Sequence, residues 1–295
     1  MTESLAGGAA APLSMRAAAS LTSAVIRATR QLLSDLERGC RIDAAVLRTA
    51  MEAAFGASDA TGVWSWKTAY DACEAATVLF LRKFGPAMRT KAGSTAAMLP
   101  MLTRIASCLP THTRRSEGSQ ALQQFSTPIP LGLAACTAAG ITSADRVLEP
   151  SAGTGLLAIF AELAGGALVL NELAESRASL LDHLFADVGA MRFDAAQIDD
   201  HLDKAIVPSV VLMNPPFSAL ANVDRRMADA ALRHINSALT RLCDGGRLVA
   251  LTSASFAPDN PAWRDAFVRL QERGRGDVPG SVEFLKRSAL PTLSR

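Results

Sequence analysis

Apolar positions in the first third of the chain recur at helical spacing. Leu21, Val25, Ala28, Leu32 and Leu36 share one face of a helix that should stop near Gly39. Ile42, Val46 and Ala50 begin a second, closing near Gly56. Trp66, Tyr70, Cys73, Leu81 and Phe84 mark a third, with its end expected at Gly85-Pro86, where proline removes a backbone donor. A fourth covers Ala96 to Leu109, and nothing here alternates with the period of a strand. Pro110 to Gly118, with Thr, His, Arg and Ser, reads as a linker. After it the period changes. Short apolar runs at Val147-Leu148, Leu168 to Leu170, Met191 to Phe193, Val210 to Met213 and Leu248 to Leu251 are interleaved with helical patterns. That alternation predicts an α/β fold: a Rossmann-like, doubly wound, mostly parallel sheet preceded by an all-helical region. The expected division is 1–118 helical with 1–14 flexible, 119–275 built on the sheet, and 276–295 an atypical tail.

Composition sharpens this picture. With 49% hydrophobic and 20% charged residues in 295, the chain is neither disordered nor fibrous. Net charge is +2, but 14 basic and 9 acidic residues fall within 1–120, against 16 and 19 after it. The helical region is thus either a packing module or a DNA-contacting one using Arg82, Lys83, Arg89 and Lys91. Five cysteines without a CxxC pair, and four histidines without HxxxH or HExxH spacing, suggest neither a disulfide framework nor a metal site. His234, in mid-helix, reads as an ordinary surface or core histidine. Gly155 to Leu170, the longest apolar run, is broken by Glu162 and Gly165-Gly166, so no membrane span is expected and a cytoplasmic location fits best.

The carboxyl ends of the strands are where such sheets bind ligands. The first reads Glu149-Pro150-Ser151-Ala152-Gly153-Thr154-Gly155, a glycine loop opening a helix. The third glycine of a dinucleotide fingerprint is replaced by Ala158. Glu149 would repel a pyrophosphate but accept a bond from an ammonium group, so the ligand implied is a nucleoside carrying an amino acid. A purely structural turn is the alternative. The second strand ends at Asn171-Glu172, an acid about 20 residues beyond the loop and suited to ribose hydroxyls. The third ends at Phe193-Asp194, where Asp194 either accepts from an adenine amine, with Phe193 or Ala195 flanking the ring, or caps a helix. Upstream, Thr127 looks like an N-cap and Pro128 a first-turn proline, and the Thr127 hydroxyl could receive a carboxylate.

The fourth strand ends in Asn214-Pro215-Pro216-Phe217, the most specific signal in the chain. An adenine N6 amine is a poor nucleophile because its lone pair is delocalised into the ring. Acceptance of its two N–H bonds by the Asn214 side-chain oxygen and the Pro215 carbonyl turns the lone pair toward an incoming methyl group. Two prolines hold that carbonyl rigid, and Phe217 offers a face on which an extruded base stacks.

These segments resemble the S-adenosylmethionine-dependent amino-methyltransferases of the adenine-N6 DNA type, in the class where the cofactor motifs precede the catalytic one. The resemblance implies that Thr127, Glu149, Ser151, Gly153, Gly155, Glu172 and Asp194 hold S-adenosylmethionine, and that Asn214, Pro215, Pro216 and Phe217 hold the target base of DNA. Residues from about 40 to 275 look like the amino-terminal methylase region of bacterial strawberry-notch-like proteins, in which a helicase-type region follows. The resemblance also implies final antiparallel strands, for which Val282 to Leu285 is the stand-in here. No GxxxxGK[ST] sequence is present. The expected activity is direct methyl transfer to adenine N6. Methylation of a protein glutamine amide or an RNA base, or a shortened non-catalytic module that binds cofactor or nucleic acid, are the alternatives.

Overall fold

The computed structural model describes residues 13–110, 127–216, 225–252, 256, 260–274 and 281–286. The linker from 111 on, Phe125, Ser126 and Phe217 lie outside these. Four helices come first: α1 Leu13–Glu37, α2 Ala44–Phe55, α3 Trp66–Ala92 and α4 Thr95–Ser107. Side-chain caps start three of them. Asp43 accepts from the backbone N–H of Ala45 and Val46, Ser65 from Thr68 and Ser94 from Ala97.

Helix α3 does not stop at Gly85-Pro86 but continues to Ala92. Proline costs it one hydrogen bond, yet its fixed φ is itself helical. Tertiary ties span the break. Arg82 donates to both carboxylate oxygens of Glu162 (2.6 and 2.7 Å) and to the Leu184 carbonyl (2.7 Å), and Arg89 donates to the Leu163 carbonyl (2.9 Å). Gly85 lets the helix approach closely, since a Cβ there would lie 2.7 Å from Leu163 Cδ1. Lys83 pairs with Glu37 at 2.7 Å. Three of the four basic residues considered for DNA contact are therefore engaged within the protein.

The remaining elements alternate as expected: α5 Ile129–Ala138, β1 Arg146–Glu149, α6 Ala158–Leu163, β2 Ala167–Asn171, α7 Glu175–Leu184, β3 Ala190–Met191, α8 Ile198–His201, β4 Val210–Met213, α9 Arg225–Arg241, β5 Arg247–Thr252, α10 Arg264–Gly274 and β6 Ser281–Lys286. The strands form one sheet in the order β3-β2-β1-β4-β5-β6, parallel throughout. This is consistent with a Rossmann-like sheet, whose order reverses between β1 and β4. Val282 to Leu285 does form a strand, but parallel rather than antiparallel. Helix α10 intervenes before it, and a helical crossover returns the chain in the original direction.

Side chains alternate between two cores. Val147, Leu170, Val210, Leu212, Val249 and Leu251 face the larger one with α5, α6 and α7, and buried residues of α1 to α4 belong to the same cluster. Leu148, Val211, Met213, Leu248 and Ala250 face a smaller core closed by α8, α9 and α10. Burial on both faces explains why these strands read as continuous apolar runs. At the amino-terminal end of the sheet, Asp145 clasps three segments. Its carboxylate accepts from Thr142 (2.9 Å), Ser209 (2.8 Å) and Arg247 (2.8 Å), marking that end as structural. No helix among the described residues is long and apolar enough to cross a membrane.

Candidate active site

The carboxyl ends of β1, β2, β3 and β4 open into one cleft of about 810 Å³, mouth included. Its wall contains Thr127, Glu149, Ser151, Gly153, Glu172, Asp194, Asn214 and Pro216, which brings together segments far apart in sequence, Thr127 and Asn214 being 87 residues apart. Pro215, between Asn214 and Pro216, is buried and is not part of that wall.

Asn171, fully buried, knits three strand ends together. Its Nδ2 donates to the carbonyls of Pro150 (2.8 Å) and Phe193 (2.9 Å), and its Oδ1 accepts from the Phe193 N–H (2.8 Å). Every hydrogen-bonding group of that amide but one is used, which fixes the loop after β1 against the end of β3. Next in sequence, Glu172 accepts from the N–H of Gly153 and of Ala174, both at 2.9 Å. Each of its oxygens keeps a second lone pair for a further donor.

Glu149 is 3% exposed, and its Oε2 has no partner among the described residues. Burial, reinforced by the nearby Glu172 charge and only partly opposed by a bond from the Ala158 N–H, pushes its pKa well above the ordinary carboxylate range. Burial thus favours the protonated form of this carboxyl, and a cationic donor facing Oε2 would favour the carboxylate.

Gly153 and Gly155 play different parts. Gly153 (φ +57°) faces the cleft, 3.7 Å from Arg177 Nη1 to a notional Cβ. Gly155 (φ +88°) lies outside the cleft wall, turned toward the helices. A Cβ there would meet the Phe185 ring at 2.4 Å, and Arg82 is stacked over that ring at 4.6 Å. Gly155→Ala is therefore expected to destabilise the fold by about 3 kcal/mol through positive φ and overpacking. A fall in the urea midpoint of the ligand-free protein measures this; an unchanged midpoint contradicts the packing account.

Thr127 is not the N-cap of α5. Pro128 takes that place, its carbonyl accepting the Gly132 N–H at 3.0 Å. The Thr127 hydroxyl instead receives the Asn214 Nδ2 at 3.1 Å. This bond orients the Asn214 amide and joins the segment before β1 to the end of β4. Asp194 does cap: its Oδ1 accepts the Ala196 N–H at 2.9 Å, at the start of a 3-10 turn over Ala195–Gln197. It also lines the cleft. Phe193, in the same wall, is stacked on His201, with centroids 5.1 Å apart.

Three residues of the wall escape the sequence reading. Glu74, from α3, accepts the Thr154 hydroxyl at 2.6 Å, and both are buried. Arg177, from α7, is bound through Nε and Nη2 to Asp71 Oδ1 at 3.0 and 2.7 Å, beneath Gly153. Two acids three residues apart on the apolar face of α3 are the signal for this pair, since a charge on a core face needs a partner. His234, read as ordinary, borders the cleft with its Nδ1 buried and without a partner among the described residues; burial lowers its pKa, against the opposing pull of Asp194. No family model matches the chain, and neither does any curated protein.

Proposed function

We propose that the chain is an S-adenosylmethionine-dependent methyltransferase whose substrate is the N6 amine of adenine in DNA. The observation that carries this reading is the partnerless Glu149 oxygen in the same cleft as the Thr127–Asn214 pair. A buried carboxyl lacking a donor suits an ammonium group and opposes a pyrophosphate. The other groups suit the rest of the cofactor. The Thr127 hydroxyl serves the carboxylate, the remaining lone pairs of Glu172 the ribose hydroxyls, and Asp194 the exocyclic amine of the purine. Leu173, half exposed at the rim, gives the purine an apolar surface to cover.

When bound, S-adenosylmethionine supplies an electrophilic methyl carbon on a positively charged sulfur. The residues of the chain prepare the nucleophile. Thr127 holds the Asn214 amide by its Nδ2, which sets Oδ1 on the other side of the planar group. That oxygen and the Pro215 carbonyl accept the two N–H bonds of the target amine and localise its lone pair. One proton leaves after transfer, when the nitrogen carries the charge and is acidic.

The test is two-part. S-adenosylmethionine is expected to raise the melting temperature of the protein and to bind in calorimetry. Tritium from its methyl group is expected in DNA rather than RNA or protein when all three compete. Absence of binding sinks the cofactor assignment, and label confined to RNA or protein sinks the substrate.

A further inference from the structure

The guanidinium of Arg177 has donors to spare. The residue is 6% exposed, and what shows lines the cleft. Nε and Nη2 form the edge that grips Asp71 Oδ1, at 3.0 and 2.7 Å, and Lys67 holds the other oxygen of that acid at 3.0 Å. This clamp fixes the plane of the guanidinium. Nη1, on the opposite side, donates to nothing among the described residues and lies 3.7 Å from the place a Cβ would take on Gly153. A guanidinium stays protonated, so two N–H bonds are left here without an acceptor. Glu172 meets the same glycine through its backbone: its Oε2 accepts the Gly153 N–H at 2.9 Å and keeps a lone pair. The charge of Glu172 acts on Arg177, yet the two form no ion pair among the described residues.

A fixed cationic donor and a carboxylate acceptor meet at one glycine without pairing to each other. They suit a ligand group that both accepts and donates, and a hydroxyl is that group. A bare anion is not, because Glu74 and Glu172 stand near the donor and repel it. We propose that Arg177 is a specificity-determining residue for ribose, its Nη1 donating to a ribose hydroxyl oxygen whose own proton goes to Glu172. The inference rests on the cofactor reading above and deepens it. Glu172 alone takes any donor, whereas the pair requires a hydroxyl. Asp71 belongs to α3, so the helical region orients a donor in a site otherwise built at the strand ends.

Dissociation constants measured by calorimetry on the full chain test this. The probes are S-adenosylhomocysteine and its 2′-deoxy and 3′-deoxy forms. The wild type is expected to prefer the ribose ligand over one of the deoxy forms by about thirtyfold, and Arg177→Met to cut that preference about tenfold. A merely structural arginine lowers all three affinities alike and leaves the preference unchanged; that result, or no preference in the wild type, overturns the proposal. Arg177→Lys keeps a cation for Asp71 but has no second nitrogen to turn toward the cleft. It should lose the preference as Arg177→Met does, and retention of the wild-type preference overturns the proposal. Should neither variant fold, a crystal structure of the wild type with S-adenosylhomocysteine decides. Nη1 is expected within about 3.2 Å of a ribose oxygen, and a separation beyond hydrogen-bond distance overturns the assignment. A wild type that binds neither S-adenosylmethionine nor S-adenosylhomocysteine overturns the cofactor reading instead.

Discussion

At pH 7 the ligand-free Glu149→Gln protein should melt higher than the wild type, by roughly 4 °C, and bind S-adenosylmethionine at least about thirtyfold more weakly. Both halves come from one oxygen. Glu149 is 3% exposed with Oε2 unpartnered, and burial raises its pKa well above that of a free carboxyl. In the unfolded chain an ordinary glutamate loses its proton near pH 4.3. From that pH up to the raised folded value, the native state binds more protons than the unfolded one. Its stability therefore falls as pH rises through this window, and the contribution of the neutral carboxyl is gone above it. Glutamine has no proton to lose. The two proteins should melt alike near pH 4 and diverge as pH increases. Binding inverts the effect, because an ammonium partner favours the carboxylate. The wild type then releases a proton on binding, seen as a dependence of the calorimetric enthalpy on the ionisation enthalpy of the buffer, and the variant does not. A variant that melts at or below the wild type at pH 7 would refute the neutral carboxyl.

Asn214→Ala is expected to lower methyl transfer to DNA by about a hundred- to a thousandfold in kcat while moving the cofactor dissociation constant little. The geometry gives the reason for the split. On the cofactor side Thr127 holds the Asn214 amide through Nδ2 at 3.1 Å. Its Oδ1 acts on the target amine, whose lone pair must be localised in the transition state and not in the bound ground state. A group that works only there changes kcat rather than affinity. Thr127→Val leaves Oδ1 present but unanchored, and should give a smaller loss. Undiminished tritium incorporation by Asn214→Ala would end the catalytic assignment.

The strands were legible in the sequence because the sheet is buried on both faces. Runs such as Val210 to Met213 have no polar member to blur them. The strand-end residues were legible for the same reason: Glu149 and Asn214 are the first polar groups after apolar runs, Glu172 follows one residue after Asn171, and Asp194 directly follows Phe193. Helix α3 was cut short because Pro86 is a local signal, whereas the ties that carry the helix past it, from Arg82 to Glu162 and Arg89 to Leu163, join residues over 70 positions apart. Glu74 and Arg177 were hidden likewise. Their meaning depends on α3 lying under the glycine loop, which no local pattern encodes. Gly155 was assigned to the ligand by its place in the loop, and only the Phe185 ring beside it shows a packing reason for glycine.

The unequal cover of the two sheet faces has a mechanical meaning. Behind Val147, Leu170 and Val210 stand α5, α6 and α7, and behind these α3 with α1. Among the described residues, the opposite face has a single layer made by α8, α9 and α10. Local opening costs least where the fewest apolar side chains lose their shelter. Compliance therefore belongs to the α9 flank, next to Asn214, while the glycine loop is clamped on the deep side through Glu74 and Asn171. The proposed chemistry asks for that distribution. A small cofactor must be held stiffly, and a base swung out of a polymer must be admitted by a wall that yields.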